Sequence, residues 1–196
     1  MAGSSLVEVL EEEHRVIERM LEVLKKAAAR LSEGEPVQPS LLKDALDFLR
    51  TFADRCHHGK EEDVLFSALQ EHGFSAVEAV GHIGVMPSAE IGVMLSEHEE
   101  GRRLIRAAAK SLQKYEGGDA PARKALAKSL QSYIRLLTEH IFKEDSFIFP
   151  VADRLIPDAE KKQLRRRFEE AEKKIGVNLH QRYLRLVEKL ENELGK

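Results

Sequence analysis

Four histidines sit where helical spacing demands an apolar side chain. The stripes read Leu10, His14, Ile17 in a first long segment and Ala53, His57, Glu61, Val64 in a second. A third gives Leu95, His98, Ile105, and a fourth gives Leu137, His140, Glu144, Ile148. The His-x-x-x-Glu spacing puts imidazole and carboxylate on one helix face, one turn apart. Such a pair can reach one metal ion, or the carboxylate can bridge two. Glu is almost never fully buried without a partner. Four histidines and two carboxylates in one core carry a large desolvation cost unless a cation offsets it. Nitrogen and carboxylate donors without thiolate favour iron, manganese or zinc over copper(I) or clusters. Two bridging carboxylates between histidine-capped ions suit a di-iron centre, with manganese or zinc ranked behind iron.

The elements that must position these groups are legible as four long apolar-periodic segments. They run from about Ser4 to Leu31, Ser40 to His72, Pro87 to Glu116 and Asp119 to Val151, with Asp119 a candidate N-cap and Pro121 suited to the first turn. Joined by short loops, they predict an all-α, up-down-up-down four-helix bundle. His14 and His98 lie about ten residues, or ~15 Å, into their helices, and His57 and His140 lie ~20 Å before the ends of theirs. In that topology all four fall at about one level. The sequence also echoes itself: His57-His58-Gly59-Lys60-Glu61-Glu62 matches His140-Ile141-Phe142-Lys143-Glu144-Asp145, and Glu13-His14 matches Glu97-His98. A helical hairpin used twice would give two related half-sites.

The Gly-rich apolar stretch 73–86 reads as a packed connection. After Pro157, Asp158 can cap one further helix, and Gly176 separates it from a last amphipathic stretch. The expected organisation is thus a bundle over 1–156 and a helical extension over 157–196. The extension would either pack on the bundle or meet another subunit in a homo-oligomer.

Other polar residues have secondary expectations. His58 stands about 100° round an ideal helix from His57, facing a groove or solvent, and is an extra-ligand candidate. Glu62 and Asp145 read as surface acids or as partners of the ligands. Glu18, one turn from His14, could orient it, as metal-bound histidines require. Tyr133 reads as a core residue two turns before His140, and Cys56 as a buried structural thiol. His72, His82 and His180 lie off the stripes and read as non-ligands.

Composition bounds the rest. With 196 residues, 42% hydrophobic and 33% charged, the chain reads as a globular domain able to bury a core without staples. One cysteine excludes an internal disulfide and any cysteine-rich metal site. A net charge of −3 gives no reason to expect nucleic acid. No run approaches the roughly 18 apolar residues of a membrane span, and the acidic start, MAGSSLVEVLEEEH, shows no export signal. A cytoplasmic location is the expectation.

The motifs Glu13-His14-Arg15, CHHGKEEDVLF at 56–66, SEHEEGR at 96–102 and HIFKEDSFIFP at 140–150 resemble those of the hemerythrin-like family, also called HHE cation-binding domains. The resemblance implies a four-helix bundle holding two iron ions in an oxo- or hydroxo-bridged centre. His14, His57, His98 and His140 would be terminal ligands, and Glu61 and Glu144 the bridges. It also implies a small partner: O₂, peroxide or nitric oxide, to be bound, sensed or detoxified. The chain departs from the oxygen-carrying hemerythrins, whose third helix carries a second histidine one turn from the first. Here those positions hold Met94 and Arg102. The expectation is a centre short of histidine, with open positions. The repeat also looks like that of di-iron proteins that repair iron–sulfur clusters, although their Cys-bearing N-terminal domain is not part of these residues. An iron or oxygen sensor without turnover is a further alternative, with the C-terminal helices as output.

Overall fold

In a computed structural model, residues 5–74 and 91–195 are described. The 73–86 connection, His82 and the expected start of the third segment therefore fall largely outside the described residues. Those described form helices and turns, with no strand among them.

Helix α1 spans Leu6–Glu33. Ser5 caps it in a reciprocal box with Glu8, and Gly34 ends it at φ 96°, a left-handed conformation that favours glycine. Helix α2 covers 39–71, opened by Pro39 in its first turn. Helix α3 is Ile91–Glu116. Helix α4 covers 120–155, with the Asp119 carboxylate accepting from the Ala122 N–H. Two further helices follow, α5 at Asp158–Ile175 and α6 at Leu179–Leu194. Asp158 is the first helical residue of α5 rather than its cap, a place Pro157 takes.

Cross-helix contacts fix the topology. His14 lies beside Glu144, and the Gly34 carbonyl accepts from Arg123 at the far end, so α1 and α4 run antiparallel. Val37 meets Tyr115, and Glu62 meets His98, so α2 and α3 do too. This is the expected up-down-up-down bundle.

Two helices are not uniformly α. At Leu49–His58, Glu61–Leu65 and Glu144–Ile148 the backbone widens into π-helical turns. Such turns are rare and concentrate at functional sites. All three carry or flank the His and Glu motifs.

The core is split. One apolar cluster, holding Ile17, Leu24, Phe52 and Leu137, fills the half of the bundle nearest the 34–38 connection. A second, holding Leu10, Phe66, Ile148 and Phe149, fills the other half. Between them lies a buried polar layer: Glu13, His14, His57, His58, Lys60, Glu61, His98, His140 and Glu144.

The C-terminal helices pack on the bundle. Phe168 and Leu164 of α5 enter the second cluster, and Tyr183, Val187 and Leu190 of α6 enter the first. Tyr183 donates to Asp47 at 2.8 Å, and Arg19 clasps Glu191 at 2.9 and 2.6 Å. His72 bonds Glu160, and the His180 ring sits edge-on to Phe52, so both stay away from the polar layer. No helix among the described residues is long and apolar enough to cross a membrane. Because Leu190 is fully buried, Leu190→Ala is expected to cost about 2–5 kcal/mol in denaturant unfolding. A loss well below 1 kcal/mol would contradict α6 as part of the core.

Candidate metal centre

Each of the four stripe histidines is fixed from behind. His14 Nδ1 bonds Asp145 at 2.6 Å, His57 Nδ1 bonds Glu13 at 3.0 Å, His98 Nδ1 bonds Glu62 at 2.7 Å and His140 Nδ1 bonds Glu97 at 2.9 Å. A carboxylate accepts, so each Nδ1 carries a proton, and in the neutral ring that a metal ligand requires each Nε2 presents a lone pair to the centre. Every carboxylate has a cation behind it. Arg15 pairs with Asp145, Lys60 with Glu13, Arg102 with Glu62 and Lys143 with Glu97. All four hydrogen bonds run between helices, so bundle assembly orients the rings.

The internal repeat governs this shell. The Glu preceding each odd-helix histidine holds the even-helix histidine, and the Lys preceding Glu61 or Glu144 backs it. The acid following each Glu reaches to the odd helix. Asp145 and Glu62 thus partner the inward histidines His14 and His98. Glu18 does not orient His14: it pairs with Arg15 at 3.2 Å and stands half exposed, while Asp145 takes the role from another helix. The roles of Glu13 and Glu97 were missed in the sequence, although their place in the repeat was its signal.

The aimed nitrogens converge on two carboxylates. Glu144 lies 3.3 Å from His14 Nε2 and 3.2 Å from His140 Nε2. Glu61 lies 3.3 Å from His57 Nε2, 3.6 Å from His98 Nε2 and 3.9 Å from His14 Nε2. Both carboxylates are completely buried, and none of their four oxygens has a hydrogen-bond partner; neither does His14 Nε2. His98 Nε2 and His140 Nε2 face each other at 2.9 Å, close enough to share a proton or one cation. Orphaned buried acceptors of this kind are costly. Cations between them would satisfy every one, so the residues present fit a metal centre.

His58 corrects the expectation of a histidine-poor site. It does not face a groove or solvent. It is buried, its ring stacks on His98 at 3.9 Å, and neither nitrogen makes a hydrogen bond, Nδ1 standing 3.6 Å from Asp54. The π-helical turns of Leu49–His58 rotate the backbone away from ideal α spacing and bring two consecutive histidines inward. The donors fall into two groups: His14, His57, Glu61 and Glu144; and His58, Glu61, His98 and His140. Glu61 belongs to both, and Glu144, 3.2 Å from His140, borders the second. The repeat is broken here alone among its inward positions, with Ile141 opposite His58.

Electrostatics follow from burial. Burial alone would raise the Glu13 carboxyl, but the His57 hydrogen bond and the Lys60 charge outweigh it and bring it down to about 2. Burial and the neighbouring His14 lower His57 to about 4, the neutral form a ligand needs. Burial and the adjacent Glu144 push Glu61 well up. Burial opposes protonation of His140, but Glu144 beside it prevails and raises it to about 9. Tyr133 is buried, its hydroxyl unpartnered. Burial raises the Cys56 thiol to about 12, which fits an inert structural role.

Glu13→Gln removes the anchor of His57 and strands the buried Lys60 ammonium. Breaking such a pair costs about 3–5 kcal/mol, and losing the orienting partner weakens metal binding by about 10–100-fold. Unfolding curves and a metal titration check both. Wild-type values for both would show that Glu13 does not position His57.

Comparison with known proteins places this geometry. The hemerythrin HHE cation-binding domain matches residues 5–152. The uncharacterized protein Rv1995 of Mycobacterium tuberculosis (strain ATCC 25618 / H37Rv) is 25% identical over 189 residues, spanning 96% of this chain and 69% of its own length. The uncharacterized protein Mb2018 of Mycobacterium bovis (strain ATCC BAA-935 / AF2122/97) matches to the same extent. No solved structure matches the chain significantly. The match begins at the cap of α1 and ends within the last turns of α4, the span that holds every inward histidine and the buried Glu61 and Glu144, and on it the chain belongs to the hemerythrin HHE cation-binding domain family.

Proposed function

We propose that this chain is a cytoplasmic di-iron protein that binds and reacts with O₂, peroxide or nitric oxide, and does not act on nucleic acid. The observation that carries the reading is the pair of fully buried, unpartnered carboxylates, Glu61 and Glu144, set between five inward histidines. Two carboxylates shared between two histidine groups suit a dinuclear centre better than a lone ion. The nitrogen and oxygen donors suit iron, and the buried Cys56 adds no thiolate. Bound iron would supply redox chemistry and an exchangeable position for a small ligand.

The chain's own residues set the conditions. His14 and His57 would hold one ion and His58, His98 and His140 the other, with Glu61 and Glu144 shared. The first ion would have fewer protein donors, so the more open position lies on that side. The four Nδ1 hydrogen bonds hold the rings in place through changes of ligand. Apolar clusters on either side, with Phe149 stacked on His14 at 5.2 Å and Phe66 on His98 at 6.0 Å, exclude bulk water and admit small uncharged molecules.

One observation favours a second reading, a sensor without turnover. Helix α5 covers the cation behind the His57 hydrogen bond: Glu172 approaches Lys60 at 3.8 Å, and Lys60 lies over the Phe168 ring at 5.9 Å. A change at His57 would reach α5 through Glu13 and Lys60.

Protein loaded anaerobically with ferrous iron and then exposed to air is expected to hold about two irons per chain and to absorb in the near ultraviolet. His57→Ala and Glu144→Ala should lose most of that iron and lower stability, since binding couples to folding. His58→Ile, copying Ile141, should keep the fold and lower the stoichiometry. Sustained loss of peroxide or nitric oxide over many cycles supports the reactive reading, and reversible binding without product supports the sensor. Wild-type iron content in both His57→Ala and Glu144→Ala would sink the site assignment.

A further inference from the structure

Among the described residues, His58 is the one inward histidine with no hydrogen bond behind it. The other four each give Nδ1 to a carboxylate, and an Arg or Lys holds each carboxylate. Beside His58 the same parts stand almost assembled. Its Nδ1 lies 3.6 Å from an oxygen of Asp54, one turn earlier on α2, which is too far for a hydrogen bond. That oxygen accepts from Arg102 Nε at 2.8 Å. The Nη2 of the same Arg102 donates at 2.6 Å to Glu62, the carboxylate behind His98. One guanidinium thus forks between Asp54 and the partner of His98, and the two histidines it stands behind are stacked at 3.9 Å. The sequence repeat sets these residues apart. Where this half has His58, Asp54 and Arg102, the other has Ile141, Leu137 and Glu18. The extra histidine therefore comes with a carboxylate and a cation of its own.

We propose that Asp54, held by Arg102, is the positioning residue of His58, accepting from its Nδ1 and aiming its Nε2 as a fifth histidine donor at one half of the centre only. The proposal rests on the metal-centre reading above and deepens it. A shift of either side chain by less than about 1 Å brings the pair to bonding distance, and the narrow cavity that both line leaves room for it. Nδ1 and Nε2 lie on opposite flanks of the imidazole ring, so a bond from Nδ1 to Asp54 fixes the tautomer and the ring orientation that a metal-bound histidine needs. Arg102 then ties two donors of one ion, His58 and His98, to a single charge. Nothing equivalent stands in the other half, where Leu137 takes the place of Asp54. The two ion positions therefore differ in how firmly their ligands are held, and Asp54 acts on one of them.

The test is an anaerobic titration of the full chain with ferrous iron. Asp54→Ala is expected to weaken one of the two iron positions by about 10–100-fold and leave the other at its wild-type affinity. Asp54→Asn, which keeps an acceptor oxygen without the charge, should fall between wild type and Asp54→Ala. Because Asp54 is partly exposed and Arg102 keeps Glu62, the Tm of the metal-free Asp54→Ala protein should move by no more than about 4 °C. The decisive variant is the pair: in a His58→Ile background, adding Asp54→Ala should change iron uptake no further, since Asp54 acts through His58. Wild-type affinity at both positions in Asp54→Ala overturns the proposal. A further loss of iron in the paired variant also overturns it, because Asp54 would then act through the bundle or through His98. So does a metal-free Asp54→Ala chain that no longer folds, which would make Asp54 structural. A wild-type chain that takes up no iron overturns the metal-centre reading and this proposal together, whereas two irons in the wild type with any of the preceding results overturns this proposal alone.

Discussion

Two carboxylates buried side by side at the centre of a helical bundle repel each other and have lost their water, and the rest of this structure is arranged around that cost. None of the oxygens of Glu61 and Glu144 has a hydrogen-bond partner. Their neighbours are the Nε2 atoms of the surrounding histidines, at 3.2–3.6 Å. A layer of this composition separates two apolar clusters that would otherwise be one core. Filling it with apolar side chains would be the simpler way to stabilise a bundle. Keeping it polar makes sense when cations complete it, and the energy of binding then becomes part of the energy of folding.

Orientation is the second requirement, and the bundle meets it with charge. Each His Nδ1 is held by a carboxylate from a different helix, and each carboxylate by an Arg or Lys. The centre is thereby tied to α1, α2, α3 and α4 at once. Substitution at Glu13 or Glu97 therefore acts on metal binding from a distance. The approximate two-fold of the shell is broken by His58 opposite Ile141. That difference distinguishes the two donor groups.

Much of this was legible in the sequence because period and depth are local properties. His14, His57, His98 and His140 stand out since each interrupts an apolar stripe, and Glu61 and Glu144 since they follow at one turn. The helix limits differ by about two residues, as Ser4–Leu31 against Leu6–Glu33 shows. His58 was misplaced because ideal α geometry turns it away, and nothing in residue spacing signals a π-helical turn. Glu18 was named beside His14 and Asp145 was given no particular histidine, because sequence proximity is visible and cross-helix proximity is not. The packing of the C-terminal helices on α1 and α2 depended on pairs such as Arg19 with Glu191, which only the fold brings together.

The central claim is that two ions are shared by Glu61 and Glu144, one held by His14 and His57 and the other by His58, His98 and His140. Anomalous diffraction from crystals of the iron-loaded chain, recorded on both sides of the iron absorption edge, tests it most directly. The account predicts two iron peaks in the layer between the apolar clusters, one in each histidine group. A single peak, or iron bound only at surface carboxylates, would contradict it.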